Sequence, residues 1–231
     1  MKRFYKDVTV VAEDGGFRVA LDGRGIRTVG GRQQIVPSRA LAEAMAAEWA
    51  DQGEEIDSTR FILRDMADFA LDVVAPERAR TIGELLPYAE TDTLCYRAEP
   101  DEPLAARQRA VWEPLLSAME TRIGVSFHRV SGVMHRPQPP EAIERIAGEL
   151  EGLDAFALAA LRNTASLAAS LTLGLAAIAP GADVEALWNA ANLEEDWQAE
   201  LWGKDAEAQD RRDKRFAAFR AATRFAELAR A

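Results

Sequence analysis

The hydrophobic period of this chain changes once, at Pro37-Ser38, and that change restricts the fold more than any other feature. Before it, apolar and polar residues alternate as strands require; after it, apolar residues recur every three to four positions, as helices require. Val8-Thr9-Val10-Val11 and Phe17-Arg18-Val19-Ala20-Leu21 flank Asp14-Gly15-Gly16, a turn that accepts positive φ, so a hairpin is predicted. Asp22-Gly23-Arg24-Gly25 makes a second turn, and residues 26–29 and 33–36 extend the predicted meander to four short strands. The fold class is therefore α+β, with a small N-terminal antiparallel β domain (residues 1–37) followed by a larger, mainly α-helical domain (residues 38–231).

The helical part begins with Ser38 as N-cap and Leu41, Met45 and Trp49 on one face. In the next helix, Ile62, Met66, Phe69 and Val73 form the predicted buried face, while Asp65, Asp68 and Asp72 form a solvated one. Without a histidine or a loop ligand to complete coordination, that acidic row is assigned no metal. Residues 91–97 and 125–133 are expected to be extended, and Pro114 should kink or restart the helix that precedes it. Asp154 can cap the apolar segment that follows the prolines at 137, 139 and 140. Residues 164–179 are shorter than the roughly 20 apolar residues that cross a bilayer and are read as one buried core helix, with no membrane insertion. A single helix is predicted over residues 183–202, ended by Gly203. The last helix carries Glu207 with Arg211 and Asp210 with Lys214 on its surface, and buries Phe216, Phe219, Ala222 and Ala226.

Charge and composition exclude several functions. With 38 acidic against 28 basic side chains, the chain would repel a phosphate backbone, so no nucleic-acid partner is expected. A single cysteine, Cys95, excludes an internal disulfide and a cysteine-based zinc site and fits a reducing compartment. The charged start runs directly into strand-like alternation without a leader pattern, which points to the cytoplasm. No sustained heptad argues for a coiled-coil dimer, and a monomer is expected. Reactive groups are few: an arrangement of Cys95 as nucleophile, His128 as base and Asp92 as orienter is formally open, giving a small cysteine-dependent hydrolase as the alternative. No phosphate loop, nucleophile elbow or zinc-hydrolase motif occurs, so no catalytic, cofactor-binding or metal residue is assigned.

The most informative segment is Leu193-Glu194-Glu195-Asp196-Trp197-Gln198. On one continuous helix, Val184, Leu187, Trp188, Ala191 and Trp202 share a side with Glu195 and Gln198. Leu193, Trp197 and Leu201 form a second apolar row, and Glu194 lies between the two. Both carboxylates are thus expected where solvent access is poor, which requires an internal arginine or a group supplied by another molecule. The second alternative makes Glu194, Glu195, Gln198, Trp188, Trp197 and Trp202 a client-binding site, acidic and aromatic together. Packing alone would also account for the tryptophans.

The motifs have a family likeness. Phe4-Tyr5-Lys6-Asp7-Val8, Leu21-Asp22-Gly23-Arg24, Val36-Pro37-Ser38 and Glu48-Trp49 resemble the N-terminal part of the assembly chaperones of the ATP synthase alpha subunit, the Atp-twelve family. Ala70-Leu71-Asp72, Tyr88 with the run from Thr91 to Arg97, and Gln108 with Trp112-Glu113-Pro114-Leu115-Leu116 resemble its central motifs. Leu193-Glu194-Glu195 with Gln198 and Trp202-Gly203 resembles its C-terminal one. Thr59-Arg60-Phe61 and Glu113 depart from the family pattern. The resemblance implies an N-terminal β domain joined to a helical one, no ATP use, no cofactor, and the unassembled alpha subunit of the F-type ATP synthase as client. A general holdase without a fixed client is a further reading, and one dominant band in a pull-down would distinguish the two.

Overall fold

The computed structural model describes residues 1–132, 134–203 and 205–231. In chain order it contains strands β1 (Val8–Glu13), β2 (Gly16–Leu21) and β3 (Arg24–Gly25), then helices α1 (Arg39–Ala50), α2 (Ile62–Phe69), α3 (Arg78–Leu85) and α4 (Pro87–Glu90). Strand β4 (Tyr96–Arg97), helix α5 (Pro103–Ile123) and strand β5 (Val130–Ser131) follow. Helices α6 (Pro140–Glu151), α7 (Ala155–Ala168), α8 (Leu171–Ala177), α9 (Val184–Ala191), α10 (Leu193–Trp202) and α11 (Ala206–Arg230) complete it. The α+β class is as predicted. Contacts group the chain into two compact units, residues 1–78 with 154–160 and 221–231, and residues 79–153 with 161–220.

In the first unit, β1, β2 and β3 form an antiparallel sheet in that order. Glu13 pairs with Gly16, which leaves Asp14-Gly15 as a two-residue turn with Gly15 at φ 90°. Gly16, at φ 153°, lies against the Val36 carbonyl, where no side chain would fit. The two further strands predicted at residues 26–29 and 33–36 do not form; only the bridges Arg27 to Gln33 and Phe17 to Val36 remain. Side chains replace the missing ladder, because Val29 and Gly30 donate their amides to Asp68 (3.1 Å) and Asp72 (2.7 Å).

Ser38 caps α1 by accepting from the Leu41 amide at 3.0 Å, and Leu41, Met45 and Trp49 are buried as predicted. Helix α2 presents a different face from the one predicted. Leu63, Ala67, Ala70 and Val74 are buried, whereas Ile62 is 51% and Val73 41% exposed. The Glu48 carboxylate accepts from the Leu63 amide (2.7 Å) and the Arg64 amide (3.0 Å), which fixes the rotation of α2 at its first turn. A π-helical stretch, Ala70–Val74, then shifts the register of the rest. The acidic row is solvated only at Asp65, which is exposed as predicted: Asp68 is 6% exposed and bonded to Val29 and Gln34, and Asp72, half-buried, accepts from Thr28 Oγ1 at 2.8 Å. In the same unit Phe156 stacks on Phe225 at 6.0 Å.

The second unit is helical around α5, with Gln108, Trp112, Leu116 and Met119 buried. Helix α5 runs through Pro114 without a restart. Pro114 has no amide to offer the Ala110 carbonyl, and both residues lie on the exposed side of the helix. The extended segments expected at 91–97 and 125–133 shrink to a 3-10 turn (Thr93–Cys95) and the two-residue parallel pair β4 and β5; Val133 lies outside the described residues. Asp154 caps α7 as expected, accepting from the Ala157 amide at 2.8 Å. The single core helix predicted at 164–179 is two helices, broken at Ala169 (φ 48°), with Ser170 capping α8 through the Leu173 amide at 3.0 Å. Gly174 makes this crossing possible, since a Cβ there would come within 2.9 Å of the Ala165 backbone. The helix predicted over 183–202 is also two, broken at Asn192 (φ −108°, ψ 19°).

Candidate functional site

The break at Asn192 decides what the C-terminal acidic segment presents. Asn192 is buried, and its side-chain amide donates to the Trp188 carbonyl at 2.8 Å, closing α9 and starting α10 on a new phase. Trp188 remains in the core, 2% exposed, with the rings of Phe216 and Phe219 at 5.7 and 5.3 Å. Of α10 only Leu193 is buried. Glu194, Glu195 and Gln198 are exposed, Trp197 is half-buried, and Leu201 and Trp202 stand 58% and 78% exposed. The expectation that both carboxylates lie where water is scarce is therefore corrected: the predicted apolar company belonged to a helix that does not continue.

Each acidic group of α10 has an assigned neighbour. Glu194 accepts from Gln108 Nε2 at 2.6 Å, and Gln108 Oε1 accepts from the Ala98 amide at 2.8 Å, so a buried glutamine ties α10 to the segment after β4. Glu195 lies 3.6 Å from Arg215, a loose exposed pair that contributes little to stability. Asp196 is bonded to Arg212 at 2.9 Å. Glu200 takes Arg107 through both oxygens, and Arg107 lies 5.6 Å over the Trp197 ring. Glu195, Gln198 and Trp202 line a groove of about 420 Å3 with Arg211, Arg212 and Arg215. The face thus combines a bare indole and leucine with a weakly committed carboxylate. Gln108 and Arg107 were not among the predicted site residues; Gln108 stood in a family-like motif, but nothing local to it indicated a bond to Glu194, 86 positions away.

The cysteine arrangement does not assemble. Cys95 is fully buried, and burial, with the Asp92 carboxylate, pushes its thiol up to about 12. His128 Nδ1 lies 3.0 Å from the Pro137 carbonyl and Nε2 3.3 Å from Arg136, so both ring nitrogens are engaged away from the thiol. Asp92 is committed to the Leu94 and Thr172 amides. At pH 8 such a thiol is on the order of one part thiolate in ten thousand. Iodoacetamide is therefore expected to leave Cys95 unmodified in the native protein and to alkylate it once urea unfolds the chain, as mass spectrometry would read. Rapid native labelling would contradict this. Among the described residues, no cluster of three or more His, Cys, Asp or Glu side chains could hold a metal ion, and no helix is long and apolar enough to cross a membrane.

The model of the ATP12 chaperone protein family matches residues 2–120, just over half of the chain. The chain belongs to the ATP12 chaperone family. Protein atp12, mitochondrial, of Schizosaccharomyces pombe is 25% identical over 230 residues, spanning 92% of this chain and 78% of the relative. The crystal structure of Atp12 from Paracoccus denitrificans is 36% identical, with a TM-score of 0.93 over 99% of this chain and 98% of that one. That of the Atu1473 protein from Agrobacterium tumefaciens is 41% identical, with a TM-score of 0.91 over 98% and 85%. The ATP12 family model stops before α10, whereas the structural likeness runs through it.

Proposed function

We propose that this chaperone holds the unassembled alpha subunit of the F-type ATP synthase, without using ATP, until the beta subunit takes its place. The observation that carries the reading is the outer face of α10, where Leu201 and Trp202 are bare beside Glu195 and Gln198. Exposed aromatic and apolar groups of this kind mark binding surfaces in proteins that otherwise bury them. A subunit made before its partners exposes apolar assembly surfaces that aggregate until covered. In this reading Trp202 and Leu201 cover such a surface, with Trp197 at its margin. Glu194, Glu195 and Gln198 meet basic or amide groups of the client. Trp188, being buried, supports α9 from behind. Release needs only a partner that binds the same client surface more tightly. The bacterial cytoplasm is part of the reading, supported by 36% and 41% identity to the Paracoccus and Agrobacterium proteins against 25% to the mitochondrial one.

The test is aggregation of purified alpha subunit, followed by turbidity with the chaperone in several-fold excess. Suppression is expected; unchanged turbidity would sink the proposal. Trp202→Ala and Glu195→Lys should each weaken client binding by roughly tenfold, with the far-ultraviolet CD spectrum unchanged, because both side chains are exposed and loosely held. Loss of helical signal in Glu195→Lys would instead assign Glu195 a structural role.

A further inference from the structure

Arg97, Arg109 and Arg129 line one cavity of about 280 Å3, together with Glu113 and Ser131. The charges of this cluster do not balance. Arg129 is committed to both Glu113 and Glu120, and Arg97 Nη2 also reaches Glu113 Oε2 at 3.1 Å, so one carboxylate serves two guanidiniums. Arg109 is exposed and makes no ion pair among the described residues. In the cavity wall three cations thus meet one carboxylate, Glu113, with Glu120 holding Arg129 from outside it; Glu99, Glu102 and Glu194 line the adjoining cavity. Arg97 is also incompletely bonded: its side chain is only 9% exposed, yet Nε is buried without a hydrogen-bond partner. Burial holds its guanidinium below the usual arginine range, the opposite of what a group with enough anionic neighbours shows. Native proteins rarely leave such a donor unpaired, so a missing acceptor is indicated.

Geometry narrows the acceptor's class. Guanidinium forks bind planar oxyanions through paired N–H donors, and the remaining wall of Ala98, Pro100 and Ala105 suits a short alkyl stem better than a fully hydrated ion. Arg97 and Ala98 also line the adjoining cavity, of about 300 Å3, which Glu194 and Gln198 border. The Ala98 amide, Gln108 and Glu194 form one hydrogen-bonded chain between the two. A segment lying across Glu194 and Gln198 therefore reaches the arginines directly.

We propose that this cavity seats an aspartate or glutamate side chain of the client, bound by Arg97 and Arg109, while Glu113 and Glu120 hold Arg129 in place. The inference rests on the client-binding reading and deepens it. The chaperone then recognises a charge pattern, a basic or amide group at Glu194 and Glu195 and a carboxylate beside it, which a purely apolar surface would not select.

Two measurements on the full chain test the proposal. In the first, the Arg97 Nε–H resonance is followed by NMR during titration with glutarate and, separately, with inorganic phosphate. A saturable shift with glutarate that Arg109→Ala abolishes is expected; no saturable shift, or saturation by phosphate alone, would overturn the carboxylate assignment. In the second, Arg109→Glu is compared with Glu195→Lys for binding to isolated alpha subunit, with CD confirming the fold. Arg109→Glu should weaken binding by roughly tenfold and flatten its salt dependence. Weakening by Glu195→Lys with none by Arg109→Glu would overturn this proposal and leave the client reading standing. No binding by the wild-type protein would overturn both.

Discussion

Replacing Trp112 with alanine is expected to lower the free energy of unfolding by about 3–5 kcal/mol, the cost of emptying a large aromatic site in a close-packed core. Trp112 is fully buried in α5, and its indole Nε1 donates to the Ala190 carbonyl at 2.8 Å, at the end of α9. The substitution removes the ring and leaves that carbonyl without its donor, so two costs add. The position of α10 should loosen with it, because α10 begins two residues after α9 ends. Urea unfolding followed by CD would measure the change. Trp112→Phe, which keeps most of the volume but not the donor, should fall between wild type and alanine. A loss under about 1 kcal/mol in Trp112→Ala would show that the site collapses around the gap and that α5 does not carry the unit.

Asp92→Asn is expected to cost about 2–3 kcal/mol, the penalty for leaving a buried donor unsatisfied. Asp92 is fully buried; Oδ1 accepts from the Leu94 amide at 3.0 Å and Oδ2 from the Thr172 amide at 2.9 Å, joining the 3-10 turn before β4 to the start of α8. Asparagine keeps one acceptor and turns the other into a donor facing an N–H. The pH dependence has a definite sign. Desolvation by burial raises the Asp92 carboxyl above its usual range, against the pull of hydrogen bonds from Ser170, Thr172 and Leu94. The folded state then holds the proton more tightly than the unfolded chain. Wild-type stability should fall as pH rises from the ordinary carboxylate range through the raised value, and Asp92→Asn should lack this slope. The gap between the two proteins should therefore widen as pH falls from neutrality; a narrowing gap would mean that the hydrogen bonds outweigh the burial.

Particular elements show why parts of the site could be read from sequence and others could not. Ser38, Asp154 and Gly203 were legible because a cap is a local event: a side chain or a positive φ acts on groups within a few positions. The i, i+4 pairs Glu207 with Arg211 and Asp210 with Lys214 were legible for the same reason. The rotation of α2 was not, because two of its faces are apolar enough to be buried. Glu48, fourteen residues before Ile62, holds the first turn and selects the inner one. The presentation of α10 was lost in the same manner. Residues 183–202 carry no proline or glycine to announce a break, and the interruption at Asn192 rests on a side chain turned back to Trp188. Once the phase changes, every later residue points elsewhere, which moved Trp202 and Glu195 from the expected apolar side to solvent.

Taken by itself, the sequence determined the α+β order of elements, the first hairpin, the caps, the lack of an internal disulfide and the family likeness. All of these depend on neighbouring residues or on composition. Only the tertiary structure decided which face of α2 is inside, that two predicted helices are each broken in two, and that Glu194 and Glu195 are exposed. Only it gathered Arg97, Arg109 and Arg129 around one cavity. Each of those outcomes depends on contacts between residues far apart in the chain, and a helical period is degenerate until such a contact chooses its phase.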